Sequence, residues 1–283
     1  MRITRALFLL GPVLWVAGAN LAPLFEMARI SLLDTYPAAP DHVARHSLDN
    51  YVAFLTSPIY RAAFLRSISF AGLATLLALL LAYPLAYAIA IATPARRRLR
   101  RLLLLIAPFW TGEIVRIFAI MLLLSNRGAV NGILRWAGVV GDPLPLLYNP
   151  FSLAFGMVYV VLLAMLLPVY AALEKLPREL LDAAAGLGAG AWTRFHRVTL
   201  PLTREGIAAG SALVFLISLG TFAVPSILGG ADTTLFSMTI GSMFASSAGR
   251  WPLGAAFGLV LLASGLGIAA AIASAGRQAA PSP

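Results

Sequence analysis

Two ionisable residues, Glu113 and Arg116, stand three apart inside an otherwise apolar run from 102 to 124. In a helix they share one face. A charge within hydrocarbon costs roughly 2.5–3.5 kcal/mol on insertion scales and marks a functional position by default. Two readings stay open: Glu113 guides a cationic solute, or the two charges neutralise each other and orient the helix. One turn earlier lie Trp110 and Thr111, where an aromatic face suits an ammonium group or simple packing. A second apolar run holds Ser218, Thr221 and Pro225. Its proline releases a backbone carbonyl, which is tolerated where neighbouring helices or a cavity satisfy it.

Other chemistries are excluded. The chain has no cysteine, so disulfides, thiolate metal sites and haem attachment are absent. Its one lysine, Lys175, follows Glu174 and not a glycine-rich turn, so a P-loop for ATP is ruled out. Gly186-Leu187-Gly188-Ala189-Gly190-Ala191 fits the dinucleotide fingerprint formally, but it lacks the preceding strand that the motif requires. His42 and His46 are four apart, without the intervening glutamate or third ligand of a zinc site. No Ser, His and Asp grouping suggests a hydrolase.

The elements that must carry these residues are membrane spans. Sixty per cent of the 283 residues are hydrophobic and 11% are charged, and the mean hydropathy is +0.87; a soluble domain carries roughly 25% charged residues. Six segments reach the ~20 apolar residues a spanning helix needs: 6–28, 68–92, 102–124, 151–173, 206–228 and 253–274. The fold class is therefore all-α, a single polytopic membrane domain with about six spans. Ala17-Gly18-Ala19 resembles a signal-peptidase site, but the apolar run continues through Leu21, Leu24 and Phe25, which favours an uncleaved helix. The segment from Arg29 to Arg66 reads either as a helix lying on the membrane, with Tyr51, Phe54, Tyr60 and Phe64 as anchors, or as a solvated loop with the same anchors. Gly206 with Gly210, and Gly254 with Gly258, make faces for close helix approach, within the chain or against a partner.

Basic residues set the orientation. With the N-terminus inside, the inner segments hold Arg2, Arg5, the cluster Arg96, Arg97, Arg98, Arg100 and Arg101, then Lys175, Arg178, Arg194, Arg197, Arg204 and Arg277. The outer segments hold fewer: Arg29, Arg45, Arg61, Arg66, Arg127, Arg135 and Arg250. Both termini are thus expected in the cytoplasm. The net charge of +10 then reflects topology and lipid head groups, with no nucleic-acid partner.

The inner loop 174–203 is the most informative stretch. Pro177 suits the first turn of a helix, Glu179 and Asp182 lie near its positive end, and Gly188 can end it with a positive φ. A second amphipathic stretch then runs through Phe195 and Val198 to Leu200-Pro201.

Asp182-Ala183-Ala184, Gly188, Val198, Leu200 and Pro201 match in register the cytoplasmic loop of ABC importer permeases. That pattern is Glu-Ala-Ala, three residues, Gly, nine residues, an aliphatic residue, one more, and Leu-Pro. Asp here replaces Glu. Pro108-Phe109-Trp110-Thr111 with Arg116, Gly128 and Asn131 is similar to the third span of polyamine-type permeases. So are Gly220-Thr221-Phe222-Ala223-Val224-Pro225 in the fifth and Trp251-Pro252-Leu253-Gly254 in the sixth. The resemblance covers the chain from about Asn50 onward and fits the first permease of a spermidine/putrescine-type system best. Permeases for thiamine, iron and sulfate share much of the pattern.

The resemblance implies a subunit of the bacterial inner membrane without catalysis or cofactor of its own. ATP and Mg would be bound by a cytoplasmic ATPase dimer, gripped by a coupling helix around Asp182 in a helix-in-groove contact. A periplasmic binding protein would deliver the solute, a second, related permease would complete the pore, and membrane lipid would surround it. Two other classes compete. A membrane enzyme needs clustered polar groups near one interface, which are missing; a lone secondary transporter usually shows repeats and more intramembrane charge.

Overall fold

The computed structural model describes residues 2–37 and 45–278. His42 lies outside the described residues, so its pairing with His46 is not placed. The helices in chain order are α1 (Arg2–Ser31), α2 (Asp49–Thr56), α3 (Pro58–Ala90), α4 (Ala95–Ile106), α5 (Glu113–Leu124), α6 (Ala129–Trp136), α7 (Pro150–Glu174), α8 (Arg178–Gly186), α9 (Ala191–Arg194), α10 (Leu200–Leu202), α11 (Arg204–Gly220), α12 (Ala223–Leu228), α13 (Phe236–Ser246) and α14 (Trp251–Gln278). Among the described residues the only extended pairing is one antiparallel bridge between Leu33 and His46. Four stretches among the described residues are long and apolar enough to cross a membrane: Pro58–Ala90, Glu113–Trp136, Pro150–Glu174 and Trp251–Arg277. A fifth arises if Ala191–Leu202 and Arg204–Gly220, bent by 64°, count as one. Helix α1 spans 30 residues, about 45 Å of rise.

Two compact units form. The first holds the chain up to Phe64 together with Phe236–Ala263. Its centre is aromatic. The Phe54 ring lies 5.3 Å from that of Phe64 and 5.7 Å from those of Phe236 and Phe257, and Tyr60 meets Phe257 edge-on at 4.8 Å. The residues expected to anchor this segment to a membrane surface, Tyr51, Phe54, Tyr60 and Phe64, instead pack into this cluster. Burying rings against rings yields both area and favourable edge-to-face geometry. Gly254 fits against Met243 and Phe244, and Gly258 against Met27, so that glycine face serves packing within the chain.

The second unit holds Leu65–Leu235 and the chain from Ser264 onward. Its core joins α3 to α7 and α11 through Ala78, Ala82, Ala86, Met165, Val169 and Val214, all nearly inaccessible. Alanine at every fourth position of α3 leaves a smooth stripe against which α7 can lie closely. On α11, a methyl group at Gly206 would collide with Ala172 and the Pro168 carbonyl, and one at Gly210 would press on Met165. Here too the glycine face is used internally.

Two of the expected spans are broken. The run 102–124 is not one helix: α4 stops at Ile106, a 3₁₀ turn covers Ala107–Trp110, Thr111 is extended, and α5 starts after Gly112. Pro108, which has no N–H to donate, sits at the start of that turn. The run 206–228 is likewise split: α11 ends at Gly220, Thr221 is extended, and α12 begins at Ala223. Pro225 cannot donate to the Thr221 carbonyl four residues back, so the break falls where the ladder loses that bond. The proline thus follows a helix break and does not kink a continuous span.

Candidate coupling surface and solute path

Helix α8 ends in a hydrogen-bonded cap that explains the spacing of the loop motif. Gly188 has φ +81°, its N–H donates to the Ala185 carbonyl at 2.9 Å, and the Ala189 N–H donates to the Ala184 carbonyl at 3.0 Å. This pair of hydrogen bonds across a left-handed residue is the Schellman arrangement. It requires a glycine four residues after Ala184, because a side chain at that φ would clash with its own backbone. Pro177 stands just ahead of the helix, with ψ 124°, and not within its first turn. The glycines of the 186–191 run are therefore a helix end and a turn, with no strand before them.

The second half of the loop is keyed into the bundle. α9 continues through a π turn, Phe195–Thr199, into α10. Pro201 has no N–H for the carbonyl four residues back, and the ladder shifts just before it: Leu200 N–H donates to the Phe195 carbonyl five residues back. Phe195 meets Tyr83 of α3 edge-on at 5.6 Å and Tyr87 at 6.4 Å. Leu200 packs on the α3–α7 core. Arg178 donates weakly to the Ile91 carbonyl at 3.4 Å. The Tyr83 hydroxyl lies 3.0 Å from Thr203 Oγ1, which itself donates to the Thr199 carbonyl at 2.9 Å, so Tyr83 is the donor.

The loop residues named from the sequence divide by exposure. Asp182, Ala183 and Gly188 are exposed, Ala184, Val198, Leu200 and Pro201 are half-buried, and Leu181 turns inward. Around the exposed set lie exposed apolar side chains: Leu187 at 89% exposure, Leu180 at 44%, and Trp192 at 74%, whose ring also touches His196 and Phe195. Beside them Tyr87, Ile91, Arg178, Leu181, Asp182 and Arg194 line a cleft of about 240 Å³. Asp182 makes no ion pair with either arginine, and Arg194 Nε is buried without a partner among the described residues.

The path candidates are placed in three groups. Trp110, Thr111 and Glu113 are exposed around the break before α5. Arg116 does not pair with Glu113; its guanidinium lies over the Phe109 ring at 5.2 Å, and its Nε and Nη1 have no hydrogen-bond partner among the described residues. Phe109 in turn stacks on Tyr159 at 5.8 Å. Mutual neutralisation of Glu113 and Arg116 is thus not what holds the helix; a cation–π contact replaces it. Second, α5 packs on α12 and α7 through Ile117, Ile120, Leu124, Val224 and Leu228. That joins the two half-helices that carry Glu113 and the buried Pro225. Third, Ser218 is 1% exposed and its hydroxyl lacks a partner among the described residues. Thr221 is half-buried at the second break.

Sequence reading missed Tyr83, Thr203 and Arg194. A signal existed for the first: Tyr83 and Tyr87 are polar-tipped rings one turn apart in an otherwise aliphatic run.

The comparisons agree with this architecture. The family model described as binding-protein-dependent transport system inner membrane component matches residues 82–276. The spermidine/putrescine transport system permease protein PotB of Escherichia coli K12 is 40% identical over 215 residues, covering 76% of this chain and 77% of that protein. The inner membrane ABC transporter permease protein YdcU of the same organism is 31% identical over 267 residues, covering 90% and 84%. Among solved structures, a bacterial ABC transporter involved in import of the acidic polysaccharide alginate superposes with a TM-score of 0.74 over 97% of this chain and 95% of that one, at 19% identity. With the family model matched over residues 82–276 and PotB 40% identical over three quarters of the chain, the chain belongs to the binding-protein-dependent transport inner-membrane component family, as a multi-pass permease subunit of an ABC importer.

Proposed function

We propose that this permease lines the path of a polyamine of the spermidine/putrescine type. A periplasmic binding protein delivers the solute, and a dimer of ATPase subunits that hold the ATP and Mg drives the passage. The substrate reading rests on the 40% identity to PotB proteins over three quarters of the chain. It is supported by Glu113, an exposed carboxylate unpaired with the neighbouring arginine, which suits a cationic solute. Glu113, Ser218, Thr221 and Pro225 are the path residues on this reading. On this reading six spans, counting α1 and the bent α11 segment, leave both termini on one side, and the arginine distribution supports the cytoplasmic side.

The mechanical reading is carried by one observation: α8 presents Asp182, Ala183 and a rim of apolar side chains outward, while Phe195 and Leu200 fasten the same loop to α3 and α7. ATPase closure against α8 would then move α3, α7 and α11 together. A second, related permease covers the apolar face of α5, where Ile114, Val115, Phe118 and Leu122 are exposed. Uptake of labelled spermidine and putrescine by proteoliposomes holding the assembled importer tests the substrate. Accumulation that depends on ATP and on the binding protein is expected. Uptake of neither polyamine, with retained uptake of another solute, overturns that assignment and leaves the coupling role standing. Loss of ATPase attachment in an Asp182→Arg variant tests the coupling role by itself.

A further inference from the structure

We propose that α4 and the 3₁₀ turn after it form a binding site for one anionic phospholipid. A trough of about 550 Å³ runs along this segment. Arg96 and Arg100 stand at one end, a helical turn apart on the same face. Leu99, Leu103, Leu104 and Trp110 line the rest. The other arginines of the helix are engaged elsewhere or lie off the trough. Arg98 donates to the Thr93 carbonyl at 3.1 Å and Arg101 to Thr93 Oγ1 at 2.6 Å, while Arg97 does not line the trough. Arg96 and Arg100 are exposed with no acceptor among the described residues, and Leu99, Leu103, Leu104 and Trp110 are exposed too, Trp110 at 84%.

The division of charge selects the occupant. Two guanidinium groups about one turn apart present paired N–H donors that suit a phosphate group. A strip of leucines closed by an indole suits an acyl chain leaving the head-group layer. A zwitterionic lipid brings its own ammonium to the arginines and loses most of the attraction. A free phosphate leaves the leucines uncovered. The molecule that satisfies both ends is an amphiphile with a net negative head group, and basic residues beside a membrane span favour such lipids by about 1 kcal/mol each, near fivefold. The site turns Trp110 toward lipid and away from the solute path, and it holds whatever the solute is.

Trp110 reports on its own occupant. The assembled importer is reconstituted in phosphatidylcholine vesicles containing a small fraction of brominated phosphatidylglycerol or brominated phosphatidylcholine. The Trp110 signal is isolated by difference from a Trp110→Phe variant. Quenching by the anionic lipid is expected at roughly 25-fold lower mole fraction than by the zwitterionic one, about fivefold for each arginine. That preference is expected to vanish in Arg96→Gln/Arg100→Gln, to persist in Arg96→Lys/Arg100→Lys, and to be unchanged in Arg97→Gln. Four results overturn the proposal. They are equal quenching by both lipids, quenching by neither because protein covers the trough, a preference indifferent to the double glutamine change, and abolition of the preference by millimolar inorganic phosphate.

Discussion

The Tyr83 hydroxyl and Thr203 Oγ1, 120 positions apart in the chain, are 3.0 Å from each other and both buried. Tyr83 belongs to α3, and Thr203 closes the loop 174–203 at the bend into α11. The bond therefore ties a span that neither begins nor ends the loop to the point where the loop re-enters the bundle. Thr203 passes the bond on to the Thr199 carbonyl in the π turn. Any rotation of the loop must carry α3 with it or break a buried bond.

Tyr83→Phe should leave the Thr203 hydroxyl short of a donor and lower stability by about 1 kcal/mol. The sharper readout is coupling. ATP hydrolysis by the assembled importer is expected to persist while solute accumulated per ATP falls. Equal losses of hydrolysis and uptake would mean the bond serves stability alone.

Gly188 is the position where the backbone, not the side chain, is required. Gly188→Val forces a β-branched residue to φ +81°, at a cost of roughly 1–2 kcal/mol. It should reduce the share of permease that co-purifies with the ATPase. Gly188→Asn, which tolerates that region, should retain most of it. If valine and asparagine behave alike, the positive φ is not what matters.

Glu113→Gln removes the exposed carboxylate at the α5 N-terminus without changing its size. If the solute is a polyamine guided by this charge, KM for uptake should rise about tenfold or more, with co-purification unchanged. Unaltered affinity and rate would exclude Glu113 from the path. Arg116 lies over Phe109 and does not touch Glu113, so Glu113→Gln should not free the arginine.

Two glycine substitutions should differ in sign. Gly206→Ala sets a methyl group against Ala172 and the Pro168 carbonyl, and such overpacking costs about 1–3 kcal/mol. Gly72→Ala meets nothing within 4 Å and should be neutral or raise stability slightly. Thermal unfolding of the detergent-solubilised permease distinguishes them.

The capped helix of the loop 174–203 was legible because its spacing is local chemistry. Ala184 and Gly188 are bound by a cap whose geometry follows from four intervening peptide units, so register alone located it. The apolar runs were legible as membrane helices for a similar reason: composition over ~20 residues states whether a backbone can enter hydrocarbon. The helix breaks after Trp110 and Gly220 were less so. Pro108 and Pro225 were visible, but a proline within an apolar run is compatible with a kink, a break or a straight helix, and neighbours decide which.

What the amino-acid order determined by itself, then, was class, loop register and family resemblance, since each depends on residues close in sequence. Only tertiary structure decided that Tyr83 reaches Thr203, that Arg116 rests on Phe109 and not on Glu113, and that the aromatic residues of 51–64 pack inward. Those outcomes depend on which of several competing neighbours packs with the lowest free energy at van der Waals distance. That is a property of packed helices whose partners lie far apart along the chain, and no local window contains it.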